Sequence, residues 1–131
     1  NVKLHREFYC HVKNHVYAAL DMSKSSVYIS VGGDNAVYCF GLTDGKQHFV
    51  YLSSNLKCPL SVAVDREDNV YVVGFSSNNI HKLSSDGVTL QVITSGVPKR
   101  PRGISFNQSR DHFCITNEGP MRLKLHHFVH K

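Results

Sequence analysis

Val62-Ala63-Val64-Asp65, followed by Val70-Tyr71-Val72-Val73, is the stretch that decides the fold, because the chain spells it three times. An earlier copy reads Ala18-Ala19-Leu20-Asp21 and Val27-Tyr28-Ile29-Ser30. A later, blurred copy reads Ile104-Ser105-Phe106-Asn107 and His112-Phe113-Cys114-Ile115. The step is 43 or 44 residues between the first two copies and 42 between the last two. Short β-branched and aromatic runs repeating every 40 to 50 residues or so indicate propeller blades, whereas shorter helical periods indicate solenoids.

Working outward from the second copy gives one complete unit. Residues 60–64 are short and apolar, and Asp65-Arg66-Glu67-Asp68-Asn69 is a polar turn. Residues 70–73 predict a strand buried on both faces. Asn79-Ile80-His81-Lys82-Leu83 alternates apolar with polar and predicts a half-exposed strand. Ser85-Asp86-Gly87 supplies the positive φ of a hairpin turn before a fourth strand at 89–93. Residues 94–101, with Gly96, Pro98 and Pro101, lead out to the next unit. The first copy follows the same grammar through residues 36–40, Thr43-Asp44-Gly45 and residues 48–52. No apolar stripe at helical spacing occurs, so almost no helix is expected.

The expected fold class is all-β, a β-propeller segment of about three four-stranded antiparallel blades. Residues 1–16 are expected to hold the outer strand of a preceding blade, at 8–12. Blades are expected at 17–58 and 59–101, and an incomplete blade at 102–131. A β-sandwich is the rival, but the Asp, Val-Tyr and Asp-Gly marks recurring in order are hard to obtain by chance. Known propellers have about four to eight blades, and three leave open sheet edges and faces. The chain is therefore expected to be the carboxy-terminal part of a larger six-bladed ring. The missing blades would come from the same longer chain or from self-association of two copies.

The 131 residues are 41% hydrophobic, enough for an ordinary core. No apolar run approaches the roughly 20 residues that cross a bilayer, and Asn1-Val2-Lys3-Leu4-His5-Arg6 is unlike a signal peptide. No membrane partner is expected. Cys10, Cys39, Cys58 and Cys114 show no CxxC spacing, which favours reduced thiols and a cytoplasmic setting. The net charge of +5 gathers in residues 99–131, where Lys99, Arg100, Arg102, Arg110, Arg122, Lys124 and Lys131 face only Asp111 and Glu118.

Residues 59–72, through Asn78-Asn79-Ile80-His81-Lys82-Leu83 to Ser85-Asp86-Gly87, resemble an NHL repeat, and Arg102-Gly103-Ile104-Ser105-Phe106-Asn107 resembles the opening of the next. The style is similar to the carboxy-terminal propeller of tripartite-motif (TRIM-NHL) proteins, and the resemblance covers residues 17 to about 117. It departs where the family has an acidic residue closing the second strand, since this chain has Val31, Gly74 and Thr116 there. The family's Asn-His-Arg-like trio survives only as Asn78-Asn79-Ile80 and Asp34-Asn35-Ala36. The resemblance implies a non-catalytic recognition module, binding protein or RNA, like the substrate-recruiting propeller of a TRIM-type ubiquitin ligase. Ligase activity would reside in a RING outside this chain.

Pro98-Lys99-Arg100-Pro101-Arg102 is the leading candidate site, an inter-blade connection that prolines would hold extended with three cations projecting. Arg110 and Arg122 would extend it if they share its face. Such a loop suits phosphates of single-stranded RNA or an acidic protein partner; as a solvated loop it would only aid solubility. Single-strand recognition also wants aromatic platforms, and only Phe106 and Phe113 lie near in sequence, both better suited to the core. His126, His127 and His130, like His11 and His15, lack a carboxylate or thiol to complete a metal set, so no metal or cofactor is expected. The alternative function is a fragment of a calcium-dependent lactonase or hydrolase-type propeller. Against it, only Glu7, Glu67 and Glu118 are available, none at an obvious channel position. Asp21, Asp65 and Asn107 recur in every copy, which suggests turn capping rather than a unique active site.

Overall fold

A computed structural model of the chain describes residues 16–21 and 23–118, together with the backbone of 123–127. The strand expected at 8–12, Arg122 and the side chains of the five terminal histidines named above lie outside these described residues. Among the described residues, eleven strands account for nearly all the regular structure: β1 (Val16–Asp21), β2 (Ser26–Val31), β3 (Ala36–Gly41), β4 (Gln47–Leu52), β5 (Pro59–Val64), β6 (Val70–Gly74), β7 (Asn79–Leu83), β8 (Thr89–Ile93), β9 (Pro101–Phe106), β10 (His112–Asn117) and β11 (Leu123–His127). A 3-10 turn spans Gly32–Asp34. No helix among the described residues is long and apolar enough to cross a membrane.

The strands form three antiparallel sheets in simple up-and-down order: β1-β2-β3-β4, β5-β6-β7-β8 and β9-β10-β11. The innermost strands β1, β5 and β9 lie side by side, so the sheets radiate from a common axis as successive blades. Alternation along each strand sends side chains to both faces, and each junction is filled from two sides. Tyr28, Val37, Cys39 and Tyr51 of the first blade meet Val62, Val64, Val70, Val72 and Leu83 of the second. Tyr71, Val73 and Ile80 on the second blade's other face meet Ile104, Phe113 and Ile115 of the third. The central blade is covered on both sides, which is why every residue of β6 is buried, as its unbroken apolar run predicts.

The same covering corrects the expectation for β7. Two of its three polar positions do not reach solvent: Lys82 is half-buried, but Asn79 and His81 are buried. They face the first blade and find partners there. The Asn79 side-chain amide donates to the Asn55 carbonyl at 2.8 Å, and His81 Nδ1 is 2.8 Å from the Tyr51 hydroxyl. Alternation marks two faces but does not say that one of them is wet.

Turn geometry repeats more faithfully than the side chains. Positive φ recurs at Ser25, Asp68 and Arg110, at Asn35 and Asn78, at Gly45 and Gly87, and at Cys58 and Arg100. Asp21, Asp65 and Asn107 cap the first turn of each blade as the repeat suggested. Their side-chain oxygens accept backbone N–H groups of Lys24 at 3.2 Å, of Glu67 and Asn69 at 2.8 and 2.9 Å, and of Asp111 and His112 at 3.0 and 3.1 Å.

Strand pairing also shifts the alignment of the third copy by one residue. Phe113 pairs with Phe106 and Ile115 with Ile104, as Val70 pairs with Val64 and Val72 with Val62. Phe113 therefore stands where Val70 does, and Cys114 where Tyr71 does. The physical reason is the turn: Asp65 N–H bonds to the Asn69 carbonyl, whereas Asn107 N–H reaches one residue further, to His112.

Candidate functional site

The connection from β8 to β9 opens at the end of the blades where β5 and β9 begin, here called the top. Pro98 and Pro101 are buried and pin the connection, while Lys99 and Arg100 between them are exposed. The segment is not simply extended. Arg100 adopts φ 50, and its N–H is held by the Asn78 side-chain carbonyl at 2.7 Å. Its own carbonyl accepts the Glu118 N–H at 3.0 Å, and the Lys99 carbonyl accepts from the Asn117 amide at 3.3 Å. The loop is therefore stiff because three backbone groups are tied down, in addition to its prolines.

The cations do not all project freely. Arg102, the second residue of β9, donates from Nη1 to Glu118 Oε2 at 2.6 Å, and Arg100 Nη1 lies 3.8 Å from the other carboxylate oxygen. Glu118 raises the pKa of the Arg102 guanidinium above its already high ordinary value, with the Tyr17 hydroxyl adding to the effect. Tyr17 belongs to β1, so the first blade's inner strand contributes to the surroundings of this third-blade arginine. The Arg102 guanidinium also lies over the Phe75 ring, 5.6 Å from its centroid, a cation–π geometry. All of these side chains are at least partly open to solvent, so the pairs are weak individually and serve mainly to orient.

Of the residues singled out from sequence, Lys99, Arg100 and Arg102 come together. Arg110 does not join them: it lies in the β9–β10 turn at the opposite end of the blade, where its carbonyl accepts the Arg66 N–H at 3.3 Å. Arg122 is outside the described residues. Sequence reasoning missed Glu118 as a partner and overlooked Phe75 and Tyr17. Glu118 had a signal, because Pro101 and Asn117 face each other across the β9–β10 hairpin, which puts residue 118 beside residue 100. Phe106 and Phe113 stack with Tyr71 inside the core at centroid distances of 5.2 to 5.7 Å and are unavailable to a ligand. No group of three or more His, Cys, Asp or Glu able to hold a metal ion occurs among the described residues.

No protein-family model matches the sequence, and no curated protein matches it. Solved structures do resemble the fold. A chain of hydrazine synthase from Kuenenia stuttgartiensis superposes with a TM-score of 0.73 at 17% identity, covering 88% of this chain and 34% of that one. A chain from a nidogen/laminin complex superposes equally well, with a TM-score of 0.73 at 19% identity, covering 86% of this chain and 43% of that one. This chain thus spans less than half the length of either. Its likeness to them, together with the radiating antiparallel sheets, makes the fold a β-propeller type.

Proposed function

We propose that the chain is a non-catalytic recognition module, an NHL-like propeller segment that binds a protein partner through its top face. The reading rests on one observation: a pinned connection exposes Lys99 next to Arg100 and Arg102, which share a single acid, Glu118, with Phe75 and Tyr17 alongside. Cations, a carboxylate and aromatic surface in one patch suit the mixed chemistry of a protein surface, where arginine and aromatic residues are favoured contacts. Glu118 also lowers the net positive charge that a phosphate backbone would need. One structural neighbour comes from a protein–protein complex, which adds support by analogy of fold alone. On this reading the module acts as the substrate-recruiting propeller of a TRIM-type ligase does, in a cytoplasmic setting suited to buried thiols such as Cys39.

Two probes test the reading: a fluorescent polyglutamate peptide and a fluorescent single-stranded oligouridylate, each at low and physiological salt. Binding of the peptide that weakens in Lys99→Ala and Arg102→Ala is the expected result. Peptide binding that ignores both substitutions would overturn it. Tight, steeply salt-dependent binding of the RNA would replace the protein partner with a nucleic acid. A clear rise in melting temperature with calcium would instead favour a hydrolase-type propeller.

A further inference from the structure

The connection that carries the candidate site has a twin one blade earlier, and its lysine is repeated there. Leu56-Lys57-Cys58-Pro59 stands where Pro98-Lys99-Arg100-Pro101 does. In both, buried residues flank an exposed lysine: Leu56 and Pro59 in one, Pro98 and Pro101 in the other. Cys58 and Arg100, which follow the lysines, have φ 49 and 50, and each proline opens the inner strand of a blade. The Lys57 N–H donates to the Ser77 hydroxyl at 3.0 Å, and the Lys57 carbonyl accepts the Ser76 N–H at 3.1 Å. The backbone under Lys57 is therefore tied down, as that under Lys99 is.

The twins differ at one position, and it decides their charge. Pro59 pairs with Gly74 and Pro101 with Asn117, so Phe75 and Glu118 occupy equivalent places. Their N–H groups agree: Phe75 donates to the Cys58 carbonyl at 3.1 Å, and Glu118 to the Arg100 carbonyl at 3.0 Å. Glu118 answers Arg100 and Arg102, whereas an aromatic ring stands at that place beside Lys57. Among the described residues, neither Lys57 nor Lys99 has an acidic partner. These two lysines leave charge for a ligand to meet. Phe75 lies between their connections: its backbone bonds to Cys58, and its half-buried ring lies under the Arg102 guanidinium, 5.6 Å from the centroid. One such cation suffices for a small anion. Two, on successive blades with a ring between them, suit a chain long enough to engage both at once.

We propose that Lys57 is a further contact residue of the top face, and that the partner presents an extended acidic segment. The segment crosses both connections, with carboxylates at Lys57 and Lys99 and an apolar residue over Phe75. The inference rests on the top-face reading above and extends it by one blade.

Fluorescence anisotropy with two peptides of equal length, polyglutamate and polyglutamate with one central leucine, tests it. The variants are Lys57→Ala, Lys99→Ala and their double, all at exposed positions and each checked for an unchanged thermal melt. Each single change should weaken polyglutamate binding several-fold, and the double by about the product of the two, as independent contacts do. The central leucine should strengthen binding to wild type; if it weakens binding, the segment does not cross Phe75 and the proposal fails. Loss with Lys99→Ala but none with Lys57→Ala would overturn the two-blade contact and leave the top-face reading standing. Wild type that binds neither peptide would overturn both. Lys24 is exposed in the β1–β2 turn at the opposite end of the blades, so Lys24→Ala should change nothing. A loss there equal to that of Lys57→Ala would assign binding to overall charge. Single-stranded oligouridylate that binds more tightly than either peptide, and depends on Lys57, would replace the acidic segment with a phosphate backbone.

Discussion

The side-chain carbonyl of Asn78 accepts the backbone N–H of Arg100 at 2.7 Å, and one repeat earlier Asn35 holds the N–H of Cys58 at the same 2.7 Å. Both asparagines have positive φ, and so do both residues they hold. Each pair links the loop after a blade's second strand to the connection that starts the next blade. The two asparagines thus act as inter-blade latches, and the Asn78 latch also positions the candidate site.

Replacing Asn78 should separate its two roles. Asn78→Ala loses the hydrogen bond, about 1 kcal/mol, and forces an alanine into the left-handed region at about 1–2 kcal/mol more. Asn78→Gly loses only the bond. Denaturant unfolding should rank wild type above Gly and Gly above Ala. Equal stability of the two variants would mean that φ at this position is free to relax.

The buried His81 should make the chain sensitive to acid. Its Nε2 lies 3.3 Å from the Asn55 carbonyl, which can only accept, so Nε2 carries the proton and Nδ1 receives the Tyr51 hydroxyl. Tyr51 is in turn 2.9 Å from the Thr89 hydroxyl, which completes the chain of donors. Burial pushes the His81 pKa below its ordinary value. An unfolded histidine titrates near 6.5 or so, so below that pH the unfolded state binds a proton that the folded state refuses. Stability is therefore fully present above that pH and falls as pH drops below it. Urea midpoints measured from neutral pH downward should show the loss, and His81→Gln should flatten it relative to wild type. Tyr51→Phe, which strands Nδ1 without a donor, should cost about 1–3 kcal/mol at neutral pH.

How much of this was legible follows from what one dimension records. The 43-residue echo carried the blade, its hairpins and its capping residues, because each depends on neighbours within a few positions: Asp65 reaches only Glu67 and Asn69. What lay across a junction was not recorded. Nothing near His81 in sequence announces Tyr51, 30 residues earlier, and nothing near Arg102 announces Phe75 or Tyr17. The polar alternation of β7 looks like exposure for that reason. The slip at Phe113 has a different origin: a turn lengthened by one residue leaves composition unchanged while exchanging the faces of the following strand.

At the top face, Glu118→Gln should release two arginines at once. If the site takes an anionic partner, polyglutamate affinity should rise several-fold, with a steeper salt dependence as Arg100 and Arg102 lose their internal carboxylate. Arg102→Gln should do the reverse, and Arg110→Gln, at the far end of the blade, should change nothing. Fluorescence anisotropy at two ionic strengths distinguishes these outcomes. An Arg110 effect as large as that of Arg102 would mean that overall charge, rather than this patch, drives binding.

The junction between the first two blades should tolerate substitution poorly at Gly87. This glycine has φ 83 in the β7–β8 turn, and a Cβ there would lie 2.7 to 2.9 Å from three atoms of the Phe49 ring on β4 of the first blade. Gly87→Ala therefore meets two penalties. Left-handed backbone costs an alanine about 1–2 kcal/mol, and pushing a packed ring aside costs about 1–3 kcal/mol. The second penalty alone depends on Phe49. Phe49→Leu, which shortens the obstructing side chain, should itself destabilise through lost packing against Tyr28, whose ring centroid is 6.1 Å away. In that background, Gly87→Ala should cost less than it does in the wild type. A double-mutant cycle by urea unfolding reads the difference as a coupling energy. A cycle that closes to zero would assign the whole cost to the turn, and would show that the glycine serves its hairpin and not the packing of one blade on the next.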